Sequence, residues 1–183
     1  MYKIIYYFLS TNTNCALLMD HTVKVFCKIK FMNLLFSFIT FSSLADPLTI
    51  EGVPRVVDGD TLWISQSKIR LHGIDAPEMK QECFDENNIV WLCGKESKKI
   101  LSIIINSNEI TCKGSKRDRY KRLIAKCYID NVDIASLLVL KGFAVAYIKY
   151  SKDYIFHENH AREKKLGIWK GHFSRPSVWR RNN

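Results

Sequence analysis

Residues 56–64 read Val-Val-Asp-Gly-Asp-Thr-Leu-Trp-Ile, and residues 69–78 read Ile-Arg-Leu-His-Gly-Ile-Asp-Ala-Pro-Glu. Asp58-Gly59 is a turn signal between runs of β-formers, so the first stretch predicts a hairpin with Thr61–Ile64 as its returning strand. Ile69–His72 alternates apolar and polar side chains, a third strand with Arg70 and His72 on one face. Pro77 holds Ala76 extended, so Asp75-Ala76-Pro77-Glu78 leaves the sheet. Upstream, residues 48–57 supply the first strand of the hairpin, with Gly52 and Pro54 marking a bulge or an edge.

The rest of the chain extends this frame. Residues 79–92 are mixed in character and bounded by cysteines, hence a loop. Residues 94–106 set Ile100, Leu101, Ile103, Ile104 and Ile105 among lysines, which predicts a helix with one buried face. Residues 109–113 and 122–129 read as strands, the latter alternating Leu123, Ala125, Cys127 and Ile129 with more polar partners. Between them lies a strongly basic loop at 114–121. Asp133 is placed to cap a helix ending at Gly142, and Ser151 to cap another ending at Gly167. Strands first and helices last favour an α+β fold over a doubly wound sheet.

A chain of 183 residues supports one domain with a short appendage. With 47% hydrophobic and 25% charged residues it is neither a disordered tail nor a polytopic membrane protein. Its formal charge of +10 suits an anionic partner, nucleic acid or a membrane surface, although solubility alone accounts for such a charge equally well.

The front of the chain has the pattern of an export signal. Residues 31–45 carry no charge, follow Lys24, Lys28 and Lys30, and end in Ser43-Leu44-Ala45. A spanning helix needs about 20 apolar residues, whereas a basic segment, a short apolar core and a small-x-small exit describe a secretory signal with cleavage after Ala45. An uncleaved membrane anchor is the competing reading. Starting at Met19 gives a well-proportioned signal, so residues 1–18 read as an over-extended gene start. The expected organisation is a signal region at 1–45, a domain at 46–172 and a basic tail at 173–183. Residues 46–183 hold 24 basic and 17 acidic residues, still +7. The aromatic, basic tail either packs on the domain or touches substrate, and packing of Trp179 is the simpler role.

Cysteine usage agrees with export. Residues 46–183 contain Cys83, Cys93, Cys112 and Cys127, an even number that reads as disulfides in an oxidising compartment. A zinc site would need a C-x2-C pair or a matching histidine, and neither is present. Cys112 and Cys127 fall on the apolar faces of strands joined by one loop, which pairs them and leaves Cys83 for Cys93.

Three polar clusters carry the chemistry. Asp58-Gly59-Asp60-Thr61 taken alone is turn chemistry. Arg70 with Asp75 and Glu78 taken alone is surface charge around a proline turn, and Asp118-Arg119-Tyr120-Lys121-Arg122 is a solvated basic loop. Together they suggest one reaction. Two carboxylates, a backbone carbonyl and waters suit Ca²⁺. A third carboxylate can activate water, and two guanidiniums can grip a phosphate that gains charge during attack. These are the parts of a phosphodiester hydrolase.

The three stretches 56–64, 69–78 and 118–122 closely resemble the active-site motifs of the staphylococcal nuclease (thermonuclease) family. The segments 135–144 and 161–169 resemble its carboxy-terminal helices, so the likeness spans residues 48–170. It implies a five-stranded OB-fold barrel with three α-helices that hydrolyses DNA and RNA with Ca²⁺ and leaves 3′-phosphates. By position in the motifs, Asp60 and Asp75 would be metal carboxylates, with the backbone carbonyl of Ala76 completing the set. Asp58 would stand behind them. Glu78 would orient or deprotonate the attacking water, while Arg70 and Arg122 would bind the scissile phosphate. Tyr120 would contact the nucleotide, and Arg119 and Lys121 would add positive charge along the substrate. Ala76 stands where the best-known member has threonine, and Lys121 where glycine is common. The rival from another class is a non-catalytic OB-fold module that holds nucleic acid by charge and stacking. The expected state is a secreted or periplasmic monomer with no stable membrane association after signal cleavage.

Overall fold

The computed structural model describes residues 47–183; the expected signal region and its cleavage site lie outside the described residues. Strands β1 (Leu48–Gly52), β2 (Arg55–Val56), β3 (Thr61–Ile64) and β4 (Ser67–Leu71) come first, followed by the short β5 (Ile74–Asp75). The segment between 79 and 92 is not a plain loop: β6 (Cys83–Phe84) and β7 (Val90–Trp91) pair as a small hairpin. Helix α1 (Cys93–Ile105) leads to β8 (Ile110–Arg117), β9 (Leu123–Ile129) and β10 (Val132–Asp133). Helix α2 (Ile134–Leu140), β11 (Val145–Ala146), α3 (Ile155–Glu163), a 3-10 turn (Gly167–Lys170) and α4 (Pro176–Asn182) complete the chain.

The main sheet has the order β1-β8-β9-β4-β3-β2, with β10 added to β9. Its pairings are antiparallel except β4 with β9. β1 and β2 are two parts of one run, separated only by Val53-Pro54, yet they sit at opposite ends of that order. The run must therefore bend, and the sheet curls so that both parts find partners. Gly52 makes the bend at φ 144°, and a Cβ there would meet Ile64 Cγ2 at 2.9 Å. The expected α+β fold holds in its coarse form, helices with a curled, OB-like sheet. The count differs: the described residues form a seven-stranded main sheet and four α-helices rather than five strands and three helices. Breakage of the first strand, the short β10 and the folding of the basic tail into α4 account for the difference.

Alternation carries the core as expected. Ile69 and Leu71 of β4, and Leu123, Ala125 and Cys127 of β9, are buried and face Leu62, Leu101, Ile105, Ile134 and Leu138. α1 buries Cys93, Ser97, Leu101 and Ile105, one stripe at helical spacing. Asp133 caps α2 by accepting from the Ala135 amide at 2.9 Å, and Gly142, at φ 74°, follows the helix end.

Two elements depart from expectation. β8 continues to Arg117, so half of the basic 114–121 segment is strand; a register shift between Lys113 and Lys116 lets the pairing with β9 resume at Lys116↔Ile124. α3 starts at Ile155, not beside Ser151, whose hydroxyl instead accepts from the Asp153 amide at 3.1 Å in a local turn. The Asp153 carboxylate pairs with Lys126 Nζ at 2.8 Å.

The disulfides Cys83–Cys93 and Cys112–Cys127 form as paired from the sequence. Cys112 and Cys127 stand directly opposite on β8 and β9. Among the described residues no helix is long and apolar enough to cross a membrane.

Candidate active site

The hairpin from β3 to β4 pairs Thr61 with Arg70, which sets the Asp58-Gly59-Asp60 turn beside the Arg70 guanidinium. Asp58 Oδ1 accepts from the Asp60 amide at 3.0 Å and closes that turn. Asp60, only 4% exposed, accepts from the Ala76 amide at 3.1 Å and from the Thr61 hydroxyl at 3.1 Å. It also pairs with Arg70 Nη1. β5 then delivers Asp75, 1% exposed, onto Arg70 Nη2 at 3.1 Å, held by pairing with Val145 of β11. Arg70 Nη2 also donates to the Ile74 carbonyl at 3.2 Å.

Two buried carboxylates thus converge on one guanidinium. Burial alone would pull Arg70 below its usual range, but Asp60 and Asp75 hold it above. Asp58 is pushed upward, first by burial and then by the neighbouring charge of Asp60.

Glu78 follows the proline turn. Its amide donates to Gln81 Oε1 at 3.2 Å, and Gly94 at the start of α1 packs against its carbonyl so closely that no Cβ would fit there. The backbone of Glu78 is therefore fixed by α1, while its side chain stays half-exposed beside the cleft.

On the opposite side, Asp118 organises the turn between β8 and β9. Its Oδ1 accepts from the amides of Tyr120 at 2.9 Å and Arg122 at 3.0 Å, and its Oδ2 from Arg122 Nε at 2.7 Å. Burial would raise Asp118, but the combined hydrogen bonds from Arg122 and Tyr120 hold it below the usual carboxylate range. Arg122 Nη1 reaches Thr61 Oγ1 at 3.1 Å, so the second arginine is tied to the Asp60 turn. Tyr120 is 63% exposed, with the guanidinium of Arg119 4.8 Å and that of Arg122 5.5 Å from its ring centre.

A cleft of about 1100 Å³ gathers these groups: Asp58, Asp60, Arg70, Ala76, Glu78, Arg119, Tyr120 and Arg122 all line it. Two expected residues do not. Asp75 is covered, and Lys121 is exposed outside the cleft, with its backbone at φ 63° and its carbonyl accepting from Arg117 Nη1 at 2.8 Å. Lys113, Lys116 and Lys126 add positive charge to the cleft, and Tyr147 and Tyr150 add aromatic surface, a T-shaped pair 4.7 Å apart.

Sequence reasoning missed what covers Asp75. Arg180 of α4 grips it with two prongs, Nη1–Oδ1 at 2.9 Å and Nη2–Oδ2 at 3.0 Å, and touches Glu78 Oε1 at 2.8 Å. The sequence signal was the Arg180-Arg181 pair in the basic, aromatic tail, where no residue was singled out for the site.

The donor set suits a hard cation. Asp60 and Asp75 are buried carboxylates that share Arg70, and Ala76 follows Asp75 into the proline turn. Among the described residues no group of three or more His, Cys, Asp or Glu side chains is gathered as metal ligands. A cation here would complete its shell with a carbonyl and water, as Ca²⁺ does.

The chain is similar to known proteins. A model of the family described as staphylococcal nuclease homologue matches residues 68–171, more than half of the chain. The match begins at Lys68, so the Asp58–Thr61 turn precedes it. An uncharacterized endonuclease of Haemophilus influenzae is 33% identical over 162 residues, covering 84% of this chain and 85% of that protein. An uncharacterized endonuclease of Escherichia coli O157:H7 is 32% identical over 136 residues, covering 70% and 82%. The succinoglycan biosynthesis protein ExoI of Rhizobium meliloti is 35% identical over 124 residues, covering 66% of this chain and 65% of that protein's own length. The chain belongs to the staphylococcal nuclease homologue family.

Proposed function

We propose that this protein is a Ca²⁺-dependent phosphodiesterase that hydrolyses DNA and RNA and leaves 3′-phosphates. The observation that carries the reading is the convergence of Asp60, Arg70, Glu78 and Arg122, from separate segments, at one basic cleft, with Asp75 buried behind it on Arg70. The two relatives named endonucleases support it.

Asp60, Asp75 and the Ala76 carbonyl would hold Ca²⁺, with Asp58 buttressing the turn that presents Asp60. When bound, the ion supplies positive charge to the phosphate oxygens and acidifies a water. Arg70, fixed by three acceptors, and Arg122, fixed by Asp118 and Thr61, present guanidiniums that need not reorganise as charge builds on the phosphate. Glu78 orients the attacking water and takes its proton. Tyr120 and Arg119 contact the strand along the rim, and Lys121 adds positive charge outside the cleft.

Two disulfides fit an extracellular or periplasmic environment. The export signal at 1–45, removal after Ala45, the domain at 46–172 and a monomeric state belong to the same proposal. The test is cleavage of single- and double-stranded DNA and RNA by the purified protein, with Ca²⁺ and with chelator. Cleavage of both nucleic acids that stops on chelation is expected. Retained binding without cleavage would make the non-catalytic module the better reading.

A further inference from the structure

The chain invests several elements in holding α4 over the site. Glu158, 6% exposed on α3, accepts from the Ala146 amide at 2.7 Å and pairs with Arg175 Nη2 at 2.5 Å. Buried Gln81 donates to the Ser174 carbonyl at 2.6 Å. The disulfide-tied hairpin takes part as well: Cys83 bridges Phe173, the Phe84 amide donates to the His172 carbonyl at 2.9 Å, and the rings of Phe84 and His172 stack. Pro176 then starts α4 with its fixed φ at the first position. These contacts aim Arg180 at Asp75 and Glu78.

The pairing answers an electrostatic need. Among the described residues, two buried carboxylates with half-exposed Glu78 nearby pair with one inner-strand cation, Arg70, and a buried carboxylate needs a charged partner. Arg180 supplies the second positive charge. It does so on the same oxygens that the nuclease reading gives to a metal, and it occupies both oxygens of Asp75. A cation that binds Asp75 therefore meets like charge at both oxygens and competes with a guanidinium for them. Arg70 sits on an inner strand, with a side chain 15% exposed and three acceptors to abandon. Arg180 sits on a seven-residue helix, 36% exposed, and among the described residues its partners are Asp75 and Glu78.

We propose that Arg180 is an internal competitor for Ca²⁺: its guanidinium neutralises Asp75 and Glu78 in the metal-free protein, and Ca²⁺ exchanges for it. This rests on the nuclease reading above, and it makes Arg180 the residue that sets the Ca²⁺ requirement and frees Glu78 for water. Reciprocity follows, because if docking of Arg180 weakens Ca²⁺ binding, Ca²⁺ weakens docking of α4 by the same factor.

Calorimetric titration of the full chain with Ca²⁺ tests this. Arg180→Ala should bind Ca²⁺ more tightly than wild type, within the roughly 5- to 150-fold range usual for coupled sites. Arg180→Lys should fall between, since an ammonium keeps the charge and loses the two-pronged grip. Arg181→Ala removes the same charge from an exposed neighbour and should stay near wild type. In wild type, Ca²⁺ should speed amide hydrogen exchange across residues 176–182. Unchanged or weaker Ca²⁺ affinity in Arg180→Ala, or slower exchange with Ca²⁺, overturns the inference. Ca²⁺-dependent cleavage with unchanged affinity in Arg180→Ala would sink the inference and leave the nuclease reading standing. Tighter Ca²⁺ binding without cleavage by any variant would do the reverse.

Discussion

At the scale of single residues, the site is a set of carboxylates whose costs are met by named partners. Asp58 is the one that is not fully compensated, since burial and Asp60 both push it upward. A carboxyl whose folded pKa lies above its unfolded value costs stability while ionised, and the cost vanishes as pH falls through that raised value. Asp58→Asn keeps the acceptor for the Asp60 amide, so it should melt higher than wild type at pH 7. The gap should close on acidification through the carboxylate range, and a gap that widened there would contradict the stated cause. Lys121 is a second uncompensated position. It holds a left-handed conformation, at φ 63°, that glycine adopts without a Cβ clash. Lys121→Gly should stabilise the protein by about 1 kcal/mol or less, read from denaturant midpoints.

At the scale of elements, what was legible depended on whether a local pattern decided the outcome. Alternation in 123–129, the Asp133 cap and the Asp58-Gly59 turn each have a sufficient local cause, and each appears where expected. The full length of β8 did not, because its pairing past Lys113 depends on a bulge and on β9. Ser151 looked like a cap, but its hydroxyl closes a local turn on the Asp153 amide and the helix starts only at Ile155. The Cys83–Cys93 hairpin has a consequence outside its own loop, because it carries the contacts that hold His172 and Phe173. Replacing both cysteines by alanine should cost roughly 2–3 kcal/mol on the loop-entropy view. It should also speed hydrogen exchange in residues 171–182 more than in β8 and β9. Equal protection of the tail in both proteins would show that the hairpin does not hold it.

At the scale of the whole molecule, charge and the cleft act together. Residues 46–183 carry +7, and Lys113, Lys116, Arg119 and Lys126 concentrate part of it at the cleft. Binding to a catalytically blocked variant should therefore weaken steeply between low and moderate salt, as counterions are released from phosphates. Flat binding over that range would argue that the lysines do not track the backbone. The residues of the site were legible because three short motifs, at Asp58–Thr61, Arg70–Glu78 and Asp118–Arg122, each carry their own local geometry. Arg180 was not legible, since its relation to Asp75 spans 105 positions and depends on the folding of the entire tail.

The central claim is that Glu78 performs proton transfer or water orientation at a site that otherwise binds nucleic acid. Glu78→Gln keeps the size of the side chain and one acceptor for Arg180 while losing the base. The decisive measurement is the single-turnover rate of DNA cleavage by this variant in saturating Ca²⁺, with substrate affinity determined on the same preparation. A fall of about 10²–10⁴ in rate with affinity nearly unchanged is expected. Cleavage at the wild-type rate would remove Glu78 from the mechanism and contradict the claim.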